Sequence, residues 1–282
     1  MIRATPKSVD LLILGAGWTS NFLIPLLKTR GTTFAATTTS GRSNTIPFKF
    51  DPSSDDDSSY KLLPSAKTIL ITFPLTGPGQ SKHLTSLYRS CHGDENNWIQ
   101  LGSTGIFTGE HWNNSEAPYD KSNARAIAED ELRSCVDGCV LNLAGLYGGT
   151  RQPRNWVTRV ATTKKQVEAK NALHLVHGDD VARAIVAVHA HFTPGKRWLV
   201  TDMHVYDWWD LIHEWGDEVQ EIAKETMGEE ADELEYRKWV AELMVEKGVR
   251  ALPRGAESLG RVLDSRDFWS TVGAWPGKGR VH

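Results

Sequence analysis

Hydrophobic positions follow two different periods along this chain, and the switches between them mark its elements. Residues 11–14 are four consecutive apolar residues, Leu-Leu-Ile-Leu, the pattern of a strand covered on both faces. Gly15-Ala16-Gly17 interrupts them. Phe22, Leu23, Leu26 and Leu27 then recur at helical spacing, which predicts an amphipathic helix from about Trp18. A β-branched and apolar run over 32–39 predicts a second strand. Further strands are predicted at 47–50, 68–73, 98–102, 140–144, 173–176 and 197–201. Helices are predicted at 81–90, 122–136 and 179–191. The polar stretch 52–60, with Asp55 to Asp57, reads as a loop. Strands alternating with helices predict an α/β fold built on a doubly wound parallel sheet. Residues 1–205 would form this core, with part of a second lobe starting near 150. Residues 206–282 read as a small, mostly helical and acidic C-terminal lobe. Within it Leu234, Trp239 and Leu243 form one apolar face of a helix expected between 229 and 247, either a cover for the core or a dimer contact.

The glycine turn carries the most specific chemistry. Strand, tight turn, helix and strand in this order are the setting of a dinucleotide-binding βαβ unit. Gly15 permits the sharp turn, and Gly17 lets the backbone approach a pyrophosphate. The helix that follows directs its free N–H groups at the same anion. Ser20 stands where the pattern G-x-G-x-x-G has its third glycine, and an ordinary strand-to-helix turn is the competing reading. In an open parallel sheet, ligands lie beyond the C-terminal strand ends. Three segments meet that description: Gly15, Gly17, Trp18, Thr19 and Ser20; then Thr72, Phe73 and Pro74; then the turn holding Ser103. An NAD site carries an acid about 20 residues past the first glycine. Here residues 35–42 contain none, and the next is Asp51. Thr39, Ser40 and Arg42 supply hydroxyls and a cation instead, which suit a 2′-phosphate. The expected cofactor is therefore NADP(H), against the alternative that Arg42 is a solvated loop cation.

Composition narrows the partners. The 282 residues carry a formal net charge of −3, so no basic field favours nucleic acid. Three cysteines are too few for a disulfide framework, and no metal site is expected. The N-terminal segment lacks a secretory apolar stretch, and no run is long enough to span a bilayer. A cytoplasmic protein acting on a small molecule, without membrane or nucleic-acid partners, is the expectation; monomer and homodimer are equally compatible. Tryptophan is frequent, at 11 residues. Trp208 and Trp209 are adjacent, so they cannot face the same way on a helix, and one of them is a candidate for an apolar substrate pocket.

Three further motifs accompany the turn: Leu101-Gly102-Ser103-Thr104-Gly105-Ile106-Phe107, Gly145-Leu146-Tyr147-Gly148, and His177-Gly178-Asp179-Asp180-Val181. In this order the chain resembles the short-chain dehydrogenase/reductase superfamily over about residues 9 to 205. It looks most like the extended and atypical branches, especially YeeZ-like NAD(P)-binding Rossmann proteins. The resemblance implies a Tyr-x-x-x-Lys pair after the fifth strand, the tyrosine moving a proton at the substrate oxygen and the lysine lowering its pKa. This sequence departs from that pattern. Tyr119 is followed at the fourth position by Asn123, and placing Arg125 at the lysine puts Lys121 at the tyrosine. Only Ser103 matches a family position, as the hydroxyl that binds the substrate oxygen. Tyr147 is a candidate replacement phenol, with Lys121 or Arg125 as its cation; packing under the cofactor is the plainer reading. His177 and Asp179 invite an acid/base reading, but Asp179 or Asp180 capping the next helix is the stronger one. Two functions follow. One is an NADP(H)-dependent oxidoreductase or isomerase on a small, partly apolar carbonyl-type substrate, with Ser103 and Tyr147 catalytic. The other is a non-catalytic NADP(H)-binding redox-sensing or interaction protein. A flavin in the same cleft is disfavoured by Arg42 and the acid-free second strand.

Overall fold

The computed structural model describes residues 7–227 and 234–281. The chain opens with β1 (Ser8–Leu14), α1 (Ser20–Thr29), β2 (Phe34–Thr38) and β3 (Ile46–Pro47). It continues through α2 (Ser58–Lys61), β4 (Ser65–Ile71), α3 (Gln80–His92), β5 (Asn97–Ser103), β6 (Trp112–Asn113), α4 (Ala124–Val136) and β7 (Cys139–Leu143). Then come β8 (Gly145–Tyr147), α5 (Val157–Val160), α6 (Lys164–Glu168), β9 (Ala172–Leu173), β10 (Leu175–His177), α7 (Gly178–Ala190) and β11 (Arg197–Val200). The C-terminal part holds β12 (Tyr206–Asp207), α8 (Trp208–Glu214), α9 (Gly216–Met227), α10 (Tyr236–Glu246), β13 (Val262–Leu263) and α11 (Arg266–Val272).

Seven strands form one sheet in the order β11-β7-β5-β4-β1-β2-β3, and every neighbouring pair is parallel. This is the doubly wound Rossmann arrangement, with β1 in the interior between β4 and β2. The apolar run of β1 serves both faces, because successive side chains point to opposite sides of a strand. Leu11 and Ile13 pack with α1, α7 and α11. Leu12 and Leu14 pack with α2, α3 and α4 on the other face. All four are fully buried.

Several elements differ from the periodicity. The strand expected at 47–50 is Ile46–Pro47, because its neighbour β2 ends at Thr38, opposite Pro47. Pro47 lies on the sheet edge, where a missing N–H costs no ladder bond. The loop expected at 52–60 contains the short α2. The strand expected at 173–176 is broken at His174 into β9 and β10, which pair with different partners. Residues 229–233 of the helix expected over 229–247 lie outside the described residues; α10 is its observed part. Leu234 and Leu243 are buried and Trp239 is half-buried, all in the lobe core. Trp208 and Trp209 are both buried in that same core, so neither forms a pocket wall in the cleft described below. The lobe core also recruits Val157 and Val167, from upstream of residue 206.

Two buried ion pairs fasten the layers. Asp207, fully buried, caps α8 by accepting from the Trp209 N–H (2.9 Å) and is gripped by Arg254, whose guanidinium lies 4.0 Å from the Trp209 ring centre. Glu129, fully buried on α4, is paired with Arg197 of β11 and accepts from Asn142 Nδ2 at 2.9 Å. A side chain at Gly102 would collide with both Glu129 and Asn142, so glycine there makes room for the pair. Removing one member of a buried pair strands the other charge, at a cost of about 3–5 kcal/mol. Arg197→Met is expected to lose that much in urea denaturation, and adding Glu129→Gln to recover part of it. An unchanged midpoint in the single variant would contradict this account.

His174 joins core and lobe in one tautomer. Its Nδ1–H donates to the His204 carbonyl (3.1 Å) and its Nε2 accepts from the Leu263 N–H (3.1 Å). Burial pushes its pKa down to about 4. A depressed histidine pKa means that the unfolded chain takes up the proton first, so this contribution is lost as pH falls from about 6.5 toward 4. Buried Asp202, pushed up to about 6 by desolvation, acts in the opposite sense over nearly the same range. The wild-type curve therefore mixes the two. The stability difference between wild type and His174→Gln isolates the histidine, and it should shrink by up to roughly 3 kcal/mol between pH 7 and pH 4. A pH-independent difference would sink the assignment.

Candidate functional site

The turn after β1 is held from both neighbouring strands. Gly15 has φ +93°, in the left-handed region that favours glycine. Its N–H donates to Thr37 Oγ1 of β2 (2.9 Å), and the Ala16 N–H donates to the Thr37 carbonyl (2.6 Å). From the other side, the Thr72 hydroxyl just past β4 donates to the carbonyl of Gly15. A Cβ on Gly15 would stand 2.8 Å from Thr72 Oγ1 and 3.1 Å from the Phe73 ring. The turn is thus closed to any larger residue. Beyond it, the N–H groups of Gly17, Ser20, Asn21 and Phe22 bond to carbonyls within the turn and the first helical residues. Among the described residues the amides of Trp18 and Thr19 have no partner. These two donors, at the positive end of α1, make a cradle of the kind that could hold an anion.

A cleft of about 410 Å³ opens over this cradle. Its walls bring together Gly15, Gly17, Trp18, Thr19, Thr39, Arg42, Thr72 and Phe73, all expected from the sequence. No carboxylate lies among the lining residues. Four expected binding residues, Ser20, Ser40, Pro74 and Ser103, are not among those that line the cleft. Ser20 is buried between helix and sheet with no hydrogen-bond partner for its hydroxyl among the described residues. Ser40 and Pro74 are exposed and do not line the cleft. Four lining residues were not among those expected: Ala16, Thr38, Leu146 and Arg151. Thr38 lay within the predicted second strand and Leu146 within a quoted motif. Arg151 carried no motif; only its place after Gly148-Gly149 signalled a tight turn. A second cavity, of about 320 Å³, shares Thr39 and contains Asp51 and Asp56.

Ser103 ends β5 next to β4, and its Oγ accepts from the Gly105 N–H at 3.2 Å. The hydroxyl proton is left to donate. Tyr147 is turned away from the cleft. Alternation along β8 sends Leu146 into the cleft wall and Tyr147 into the lobe core. Burial, together with Asp202 and Asp180, raises the Tyr147 pKa strongly, so its phenol stays protonated. Neither proposed cation serves it. Arg125 donates to the Leu101 carbonyl (3.3 Å) and Lys121 is exposed. Tyr119 is structural: its hydroxyl donates to Asp130 (2.9 Å), and the Arg197 guanidinium stacks 4.4 Å from its ring centre.

His177 is itself the N-cap of α7, accepting from the Asp179 N–H at Nδ1 (3.1 Å). Burial lowers its pKa, so it is held as the neutral imidazole. Asp179 pairs with Lys278 (2.9 Å), and buried Asp180 accepts from the Gly277 N–H (2.6 Å). Both acids thus hold the segment that follows α11; Asp179 Oδ2 also lies 3.5 Å from His177 Nδ1, but that nitrogen accepts from the Asp179 N–H and so has no proton to give the carboxylate.

Among the described residues no group of three potential metal ligands is present, and no helix is long and apolar enough to cross a membrane. No protein-family model and no curated protein matches the chain. Solved structures do match in fold. A protein of Methylobacillus flagellatus assigned provisionally as an NAD-dependent epimerase/dehydratase aligns at 18% identity and TM-score 0.60, over 93% of this chain and 91% of the other. Vestitone reductase from alfalfa aligns at 16% identity and TM-score 0.56, over 85% of this chain and 99% of its own. The dTDP-glucose 4,6-dehydratase of Bacillus anthracis, solved in complex with NAD, aligns at 11% identity and TM-score 0.56, over 96% and 92%. The fold is therefore the Rossmann fold shared with epimerases, dehydratases and reductases of this architecture.

Proposed function

We propose that the protein binds NADP(H) in the cleft and acts as an oxidoreductase of the reductase or epimerase type on a small, partly apolar carbonyl substrate. The observation that carries this reading is the cradle itself: two unpartnered amides at Trp18 and Thr19, an arginine at the β2 end, and no carboxylate on the wall. The bound NAD of a structural neighbour supports a nicotinamide dinucleotide. The missing acid after β2, with Arg42 and Thr39 in its place, supports the 2′-phosphorylated form. Gly15 and Gly17 would admit the phosphates. The cofactor supplies the hydride carrier, and the chain's own residues orient the substrate. Ser103, free to donate its proton, would bind the substrate oxygen. With Tyr147 protonated and turned into the lobe, no phenolate base assists it.

The binding part is tested by titration with NADPH and NADH, followed by tryptophan emission, since Trp18 lines the cleft. NADPH should bind well ahead of NADH, and Arg42→Ala should weaken NADPH roughly tenfold or more while leaving NADH nearly unchanged. Equal affinity for NADPH in the variant would remove the 2′-phosphate role. The catalytic part is tested by a carbonyl and enone screen with NADPH, where Ser103→Ala should cost about 10²–10³ in turnover.

A second reading, a redox-sensing or interaction protein that holds NADP(H) without turnover, is favoured by one observation. The side chains at the positions of the dyad are committed elsewhere, Tyr119 to Asp130 and Arg125 to Leu101. Tight NADPH binding with no turnover across the screen would select it.

A further inference from the structure

We propose that Arg151 is a clamp on the phosphate bridge of the bound dinucleotide, reaching it from its seat on the Trp18 indole beside the two unpartnered amides. The inference rests on the dinucleotide reading above and adds a residue that no motif pointed to.

Residues 148–151 form a closed two-residue hairpin. The Gly148 N–H donates to the Arg151 carbonyl (2.8 Å) and the Arg151 N–H to the Gly148 carbonyl (3.1 Å). The hairpin's first residue, Gly148 (φ +110°), and its first central residue, Gly149 (φ +57°), both adopt positive φ, which favours glycine. The hairpin is docked on the glycine turn by the Trp18 indole, whose Nε1–H donates to the Gly148 carbonyl at 3.2 Å. Arg151 then lies over the same indole, its guanidinium 4.5 Å from the ring centre.

This placement orients the charge without neutralising it. Among the described residues Arg151 makes no ion pair and no side-chain hydrogen bond, and the cleft wall it belongs to holds no carboxylate. An indole face attracts a guanidinium weakly and leaves all five of its N–H donors free. Trp18, the residue beneath, contributes one of the two unpartnered amides. The arginine and the amides therefore lie on the same stretch of wall, whereas Arg42 stands at the end formed by the segment after β2. Two arginines would divide one ligand: Arg42 at the 2′-phosphate, Arg151 at the bridge. The planar fork of arginine suits bidentate contact with phosphate oxygens.

The division of roles is tested with two probes, NADPH and 2′-AMP. The second carries the 2′-phosphate but no bridge. Calorimetry on wild type, Arg151→Ala, Arg151→Lys and Arg42→Ala reads binding without reference to turnover or to Trp18 emission. Arg151→Ala should weaken NADPH roughly tenfold or more and leave 2′-AMP unchanged, with Arg151→Lys between. Arg42→Ala should weaken both probes. Wild-type affinity for NADPH in Arg151→Ala, or an equal loss for both probes, would overturn the clamp while leaving the dinucleotide reading intact. Failure of NADPH to bind the wild type would overturn both. Since the Arg151 side chain is exposed, melting temperatures of the variants should match wild type, which separates loss of the clamp from loss of the fold.

Discussion

Everything in the cleft depends on how two threonines hold one glycine. Thr37 and Thr72 sit at the ends of the strands flanking β1, and their hydroxyls reach the N–H and the carbonyl of Gly15 from opposite sides. A turn anchored on one side only could swing with α1. Anchored on both, it fixes where α1 begins and hence where the amides of Trp18 and Thr19 point. Hydroxyls suit this task because each can donate or accept as the backbone requires.

The other half of the molecule spends its charges on architecture. Glu129, Asp130, Arg197, Asn142 and Tyr119 form one connected network between α4, β7 and β11. Asp207 and Arg254 do the same for the lobe. Buried networks of this kind are stable only when their members are satisfied together. That demand accounts for the fate of the residues around the start of α4. A tyrosine bonded to Asp130 and capped by an arginine is not available to a substrate. The departure from the Tyr-x-x-x-Lys pattern is therefore a change of employment for that segment as well as a change of sequence.

Much of the fold was legible because β1, β4, β5 and β7 are largely buried on both faces, and such strands appear as mainly apolar runs, interrupted here by residues such as Gln100 in β5 and Asn142 in β7. The glycine turn was legible for a related reason: a positive φ and a close approach both narrow the choice of residue to glycine. Smaller pieces were not. β3 is two residues long and ends in a proline, and β6, β8, β9, β12 and β13 are too short to show a period. Among site residues, Thr39, Arg42, Thr72 and Phe73 follow from strand ends and lie on the cleft. Ser20 was grouped with the cleft because it falls within the turn motif, yet its side chain is directed into the packing. Tyr147 was read from a tyrosine-glycine pair, and a single residue of strand alternation decides that Leu146 faces the cleft instead. Arg151 depends on a hairpin meeting a tryptophan 130 residues away, a long-range contact with no local signature.

The close packing of α1 on α7 has a consequence for the order of assembly. Phe22 of α1 lies directly against Gly178, where a side chain would collide with its ring, so α1 is seated only when the start of α7 is in place. β4, which supplies the threonine that completes the turn, also follows β1 by some fifty residues of chain. The glycine turn lies near the N-terminus, yet its partners are drawn from far downstream. Non-local pairing of this kind, in an all-parallel sheet, slows folding and leaves early segments exposed while they wait. On a ribosome the glycine turn would be made well before the segments that give it its shape, and a growing chain stopped before residue 178 could not have a finished one.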